Sequence, residues 1–288
     1  MVFSKRIQFF EFLDLTWLPN LLRRYLLEYL NFFLYKMTRP YRGVEAMVAD
    51  WVGKAGHNAV LDMGSGGGGH IEFLIARAET QNLKMPKLVV SDLHPDAEIN
   101  AYKALKAKYG EDRVDFIERP VNAFRPEEAD IRLRSMFSAF HHLSPDQVRE
   151  MFKDVCANSD GIMIVDGTRR AVLPVLLMLL QFPVFMFVYP FVVPNFSWGR
   201  LFFSIVVPLL PFMMTFDSVV SMLRAYTMDE IKSLFPPEAR DRFVIEGRTL
   251  PVLGGIFHTN VLAAYRRQPP RDAAQPFLET ASSMSVAG

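Results

Sequence analysis

The sequence predicts an α/β fold, a Rossmann-like open sheet covered by helices, with N-terminal helices and one apolar helical insertion. Three observations carry that expectation. Short apolar strands alternate with helical segments between residues 59 and 166, the pattern of a parallel sheet with helices on both faces. The first strand runs into Asp62-Met63-Gly64-Ser65-Gly66-Gly67-Gly68-Gly69, a glycine-crowded corner that opens a helix. Beyond an apolar interruption the alternation resumes with a helix and two further strands.

Residues 9–35 read as one or two aromatic-rich helices broken near Pro19, because Leu21, Leu22, Tyr25, Leu26, Tyr29, Phe32 and Phe33 recur at helical spacing. Such helices either pack on the core or lie in a membrane interface. Another helix is expected at 44–52. Strands are expected at 59–62, 87–92, 114–118, 131–138 and 161–166, and helices at 71–79, 97–109 and 145–157. Ser144 is the N-cap of the last helix, with Pro145 in its first position.

Between Arg170 and Arg200 no acidic or basic residue occurs, and a second uncharged run covers 201–216. Pro174, Pro183, Pro190 and Pro194 break the first run, and Pro208 and Pro211 the second, so neither makes a straight helix. A kinked helical hairpin that dips into one leaflet or roofs a lipophilic pocket is favoured over two membrane spans. A helix at 228–234 and strands at 242–246 and 257–265 complete the core. The expected division is 1–57 helical, 58–170 cofactor-binding core, 171–217 insertion, 218–267 remainder of the core, and 268–288 a polar, disordered tail.

With 32 basic and 31 acidic residues among 288, the net charge of +1 disfavours a nucleic-acid binder. The single cysteine, Cys156, forms no internal disulfide and fits a reducing compartment. Glu11 and Asp14 interrupt the apolar N-terminus, which therefore does not read as a secretory signal.

The glycine corner satisfies the dinucleotide template G-x-G-x-x-G, but four adjacent glycines satisfy almost any glycine template. Asp62 stands where a nicotinamide pocket has an apolar residue, and its carboxylate is suited to the ammonium of an amino-acid moiety. Asp92 ends the second strand, placed for two ribose hydroxyls. Asn122, after the third strand, is placed for an adenine edge. In these residues the chain resembles the class I S-adenosylmethionine-dependent methyltransferases. Asp62-Met63-Gly64-Ser65-Gly66-Gly67-Gly68 is similar to their D/E-x-G-x-G-x-G motif, and Asp92 matches their acidic residue after strand two. Asn122 takes the place of a frequent Asp, keeping hydrogen-bonding capacity without the charge. The resemblance implies S-adenosylmethionine as cofactor and a seven-stranded sheet whose last strand is antiparallel. It implies cofactor contacts from Asp62, Gly64, Ser65, Gly66, Gly68, Asp92, Leu93, Asn122 and Ala123. Residues 10–19 and 216–226 also resemble segments of bacterial proteins known only as methyltransferase-like, which supplies no substrate.

His141 and His142 follow the fourth strand and should border the transferred methyl, so either is a candidate general base. A capping or packing role is the competing expectation for at least one of them. No metal is expected, because Asp146 lies on the following helix and no third ligand is evident. Phe140 and Tyr226 are candidate substrate contacts, and Asp217 is expected to pair with Arg224. The function expected is methyl transfer to a lipophilic small molecule or lipid, at the cytoplasmic side of a membrane, by a peripheral or monotopic protein. The competing function is a non-catalytic, membrane-associated binding protein on the same scaffold.

Overall fold

A computed structural model describes residues 5–95, 98–124 and 130–267. Helix α1 (Asn20–Asn31) continues through a wider π-type turn, Phe32–Thr38, and stops at Arg39 in the left-handed region with φ 48°. Then come α2 (Val44–Ala55), β1 (Ala59–Met63), α3 (Gly69–Thr80), β2 (Lys87–Ser91) and α4 (Ile99–Tyr109). They are followed by β3 (Val114–Phe116), β4 (Leu133–Phe137), α5 (Pro145–Asn158) and β5 (Gly161–Asp166). The insertion comprises α6 (Val172–Leu180), α7 (Phe182–Phe187), α8 (Tyr189–Val192), α9 (Trp198–Leu201) and the first half of α10 (Leu209–Arg224). The chain ends in α11 (Met228–Leu234), β6 (Phe243–Val252) and β7 (Phe257–Arg266).

The seven strands form one sheet in the order β3-β2-β1-β4-β5-β7-β6, with β7 antiparallel to both of its neighbours. Period-two alternation gives the sheet two apolar faces. Val60, Leu88, Val90, Leu133, Met163 and Val165 pack against α2, α3 and α4, while Leu61, Met63, Met136, Ile162 and Ile164 pack against α5 and α11. The carboxyl ends of β1, β2, β4 and β5 share one edge, where ligands bind in open sheets of this kind.

The expected elements are present, with differences at their ends. Strand β6 extends to Val252, past the expected end at residue 246, because its pairing with β7 continues through Arg248, Thr249 and Pro251. Ser144 caps α5 as expected, in a reciprocal pair with Gln147. Ala97 and the tail 268–288 lie outside the described residues.

A third core joins the insertion to the N-terminal helices: Leu26, Tyr29 and Phe33 interleave with Met178, Phe185, Tyr189, Leu210, Met213 and Met214. The prolines set the breaks, as Pro183 and Pro190 each sit in the first turn of a short helix. Helix α10 runs straight across the expected boundary at residue 217. Among the described residues, no single helix is long and apolar enough to cross a membrane, and one pair, Trp198–Val206 with Leu209–Arg224, is bent by 76°.

Candidate functional site

The glycine corner after β1 is a strand-to-helix turn held from below. Gly64, Gly66 and Gly68 all take positive φ (66°, 49° and 67°), which a side chain would strain. Their surroundings assign them different tasks. A Cβ at Gly68 would stand 2.6 Å from Leu105 Cδ1, so that glycine serves helix packing. A Cβ at Gly66 would meet nothing within 4 Å, so Gly66 is where another molecule can approach the backbone.

Asp62 differs from its expected role. It is fully buried, with Oδ1 accepting from Ser135 Oγ (2.6 Å) and Oδ2 from Ser65 Oγ (2.6 Å) and His70 Nε2 (2.7 Å). Because these partners surround it, Asp62 holds the turn together instead of presenting its carboxylate to an ammonium group. Ser65 is also turned inward: its hydroxyl serves Asp62 and accepts from the Ser91 N–H at 3.2 Å. His70, which sequence reasoning passed over, stacks on Phe137 with centroids 4.7 Å apart and completes this buried network. Its only signal was its place at the start of the helix that follows the glycines.

Asp92 is more open. It lies beyond β2, partly exposed, with Oδ2 accepting from Gly66 N–H (3.0 Å) and Oδ1 from His94 N–H (2.9 Å). Leu93 beside it is 54 % exposed, an apolar surface without a cover. Asn122 is exposed, its Oδ1 accepting from Phe124 N–H (2.9 Å), and Ala123 is half-buried next to it. The backbone ties this loop to Asp92, since Val121 N–H donates to Asp92 O at 2.8 Å. Glu98, also unforeseen, reaches over Gly67; burial, with Asp92 nearby, raises its carboxyl above the usual range.

The histidines after β4 are brought together with residues from the far N-terminus. His141 is buried, its Nδ1 2.9 Å from Asp166 Oδ2, and His142 Nδ1 is 2.7 Å from Asp14 Oδ1. A carboxylate only accepts, so each Nδ1 carries a proton and donates it. Both Nε2 atoms face Glu11, at 3.8 Å for His141 and 3.7 Å for His142. Burial works against a charged His141 ring, but Asp166 and then Glu11 outweigh it and hold the pKa above its ordinary value. Glu11 and Asp14 thus join the histidine cluster, although the sequence offered them only as charges interrupting an apolar segment.

Three expected roles are overturned here. Phe140 is wholly buried in the core against Phe152 and Tyr226, so it is not a substrate contact. Tyr226 is also buried; its hydroxyl donates to Leu143 O (2.8 Å) and the Arg6 guanidinium lies over its ring. Arg224 pairs with Glu11 (3.2 Å) and Asp14 (2.9 Å), not with Asp217. The open cleft of about 320 Å³ between α2 and strands β6 and β7 contains none of the expected site residues.

Asp217 instead accepts from the backbone N–H groups of Phe12 (2.7 Å) and Leu13 (3.3 Å). Burial drives its pKa up to about 7 against the Phe12 hydrogen bond, and Glu11 and Asp14 add repulsion. The folded state therefore keeps a proton that the unfolded chain loses near pH 4. The stability this proton contributes is complete below about pH 4 and is lost as pH rises through about 7, with an upper bound of about 4 kcal/mol. An Asp217→Asn variant should lose that slope. Urea unfolding of both proteins between pH 5 and 8, in chelator, checks it, and parallel curves would contradict it.

No family model and no curated protein matches the chain. Among solved structures it is similar to the pyocyanin biosynthetic protein PhzM, at 14 % identity and TM-score 0.42 over 77 % of this chain and 55 % of that one. It is similar to a SAM-dependent methyltransferase from Aquifex aeolicus, at 15 % identity and TM-score 0.44 over 81 % and 93 %. It is similar to the O-methyltransferase NcsB1 of neocarzinostatin biosynthesis, at 13 % identity and TM-score 0.47 over 83 % and 57 %. The chain thus spans little more than half the length of PhzM and of NcsB1. The seven-stranded order with β7 antiparallel, the glycine turn after β1 and the carboxylate after β2 together decide the architecture. This is the class I methyltransferase fold.

Proposed function

We propose that the chain is an S-adenosylmethionine-dependent methyltransferase that modifies a lipophilic small molecule or a lipid at a membrane surface. The observation that carries the reading is the open backbone at Gly66 joined to the Asp92 carboxylate, beside exposed Leu93 and Asn122. These residues fit the cofactor: the turn from Gly64 to Gly68 would meet its amino-acid end, Asp92 its ribose, and Leu93, Asn122 and Ala123 its adenine. When bound, that cofactor supplies an electrophilic methyl on a sulfonium, released with both electrons of the broken C–S bond staying on sulfur. The chain's own part is to orient an acceptor lone pair in line with that bond and to take up the acceptor's proton. Ala139 lies against Gly64, which brings the segment leading to His141 and His142 to the methyl side.

The lipophilic half of the proposal rests on surface chemistry. Among the described residues, every exposed large hydrophobic side chain except Leu93 and Leu253 comes from the N-terminal segment or the insertion. Trp17 and Trp198 are the most exposed of them, at 71 % and 77 %, and exposed apolar side chains concentrated in two packed segments suit a lipid or partner contact. Deleting residues 173–216 would therefore not leave an intact remainder, because Leu26, Tyr29 and Phe33 would lose their partners.

Incubation with cofactor labelled on the methyl group, in the presence of a bacterial lipid extract, should move label into the organic phase. The third tryptophan, Trp51, is buried, so a blue shift of emission on adding anionic vesicles would report on Trp17 and Trp198. Cofactor binding with vesicle binding but no transfer would favour the non-catalytic reading. That outcome has a structural reason to be watched for, since Glu11 and Asp14 cover the histidines. Absence of cofactor binding would overturn both the activity and the cofactor.

A further inference from the structure

We infer that Glu11, His141 and His142 form a binding site for one divalent transition-metal ion, with zinc the ion their donors suit best. The site goes beyond the methyl donor and does not depend on it. One donor atom from each residue lies within 4.8 Å of the others, and Glu11 and His141 are both buried. Two histidines and one glutamate are the ligands of a catalytic zinc with an open fourth position.

The hydrogen bonds around the cluster match that use. A ligating histidine presents one nitrogen to the metal and donates its other N–H to a carboxylate or carbonyl, which fixes the tautomer. Both rings do this here, His141 through Nδ1 to Asp166 (2.9 Å) and His142 through Nδ1 to Asp14 (2.7 Å). The two remaining nitrogens then converge on the Glu11 carboxylate at 3.8 and 3.7 Å, beyond hydrogen-bond reach. Nitrogens facing a carboxylate at this distance need positive charge between them, from a bound cation or from ring protons. Bonds of about 2.0–2.1 Å in a tetrahedron place donors about 3.4 Å apart. Glu11 Oε2 stands 3.7 Å from His142 Nε2, and one ligand atom from each of the three residues lies within 4.8 Å of the others, so the set must draw together to close on an ion.

Charge supports a cation of more than one unit. Glu11, Asp14 and Asp166 surround the rings, and Arg224 is the cation paired with two of them, Glu11 and Asp14. Arg224 takes Glu11 Oε1 at 3.2 Å, which leaves Oε2 to the ion. Its buried Nε has no partner among the described residues, an unmet donor beside the cluster. The cluster draws on three parts of the chain: the ligand Glu11 from the N-terminal segment, the ligand histidines from the loop after β4, and Asp166, which accepts from His141, from the end of β5. A bound ion would pin the first of these to the sheet edge and offer its open position to an acceptor oxygen, whose proton it would acidify.

The test uses the full chain, stripped with a chelator and titrated with Zn²⁺ by calorimetry, with Co²⁺ absorption as the spectroscopic readout. One Zn²⁺ per chain is expected. Glu11→Gln and His142→Gln should each weaken binding at least about 100-fold, and Asp14→Ala, which removes the hydrogen bond to a ligand, by about 10- to 100-fold. His142 is part-exposed, so its variant should keep the fold, checked by circular dichroism. Absence of saturable one-to-one binding, or unchanged affinity in folded His142→Gln, would overturn the site. The cluster would then be an ion-pair network in which Arg224 and ring protons supply all the positive charge. The measurement contains no methyl donor, so its failure is separate from failure of the methyltransferase reading.

Discussion

An Asp92→Ala variant is expected to bind S-adenosylmethionine at least about 100-fold more weakly than the parent protein. The carboxylate spends one lone pair of each oxygen on the chain itself, Oδ2 on Gly66 N–H and Oδ1 on His94 N–H. The other lone pair of each remains for vicinal hydroxyls, and two hydrogen bonds to a charged acceptor are worth about 1.5–3 kcal/mol apiece. Losing both is at least 3 kcal/mol, or about two decades in affinity. Alanine also strips the acceptor from Gly66 N–H, so part of the loss reflects a loosened turn. Asp92→Asn separates the two effects, because the amide oxygen can still accept from Gly66 while the charge is gone. An intermediate loss in the asparagine variant is expected, measured by calorimetry on protein with an unchanged melting curve. Equal binding by all three proteins would remove Asp92 from the pocket.

The contrast between Asp92 and Asp62 shows what the sequence could and could not reveal. Both are carboxylates at the ends of neighbouring strands, and the strand–turn–helix pattern placed both at the correct edge. What separates them is their neighbours in space. Ser135 from β4 and His70 from α3 close over Asp62, and neither is linked to it by any local spacing. The alternating core was legible because period-two and helical patterns are local and repeat. The histidine cluster was only half legible for the same reason: His141 and His142 are adjacent in sequence, but Glu11 and Asp14 reach them across about 130 residues. Phe140 and Tyr226 were misjudged because an aromatic near a site looks the same in sequence whether it lines the pocket or packs behind it.

The largest stability effect is expected at Arg200, whose side chain is fully buried in the apolar insertion. Its guanidinium holds Glu28 Oε2 at 2.6 Å through Nη1 and the carbonyls of Val193, Pro194 and Asn195 at 2.9–3.3 Å through Nη2. One cation therefore ties α1 to the turn between α8 and α9, where Pro194 and Asn195 cannot satisfy their carbonyls through a helix. Removing one partner of a buried pair leaves the rest desolvated, and Arg200→Ala should cost about 3–5 kcal/mol. Arg200→Lys should rescue little, since a single ammonium cannot reach a carboxylate and three carbonyls in the fork geometry of guanidinium. Glu28→Gln should cost less, about 1 kcal/mol, because that carboxylate is partly exposed and the carbonyl contacts survive. Urea unfolding of the three variants gives the order directly. The same pair also bears on function: if the insertion and α1 form one body, Arg200→Ala should reduce vesicle binding along with stability, and Glu28→Gln should spare both. An Arg200→Ala protein within about 0.5 kcal/mol of the parent would mean that the insertion does not rest on α1, and the apolar face built from both would lose its footing.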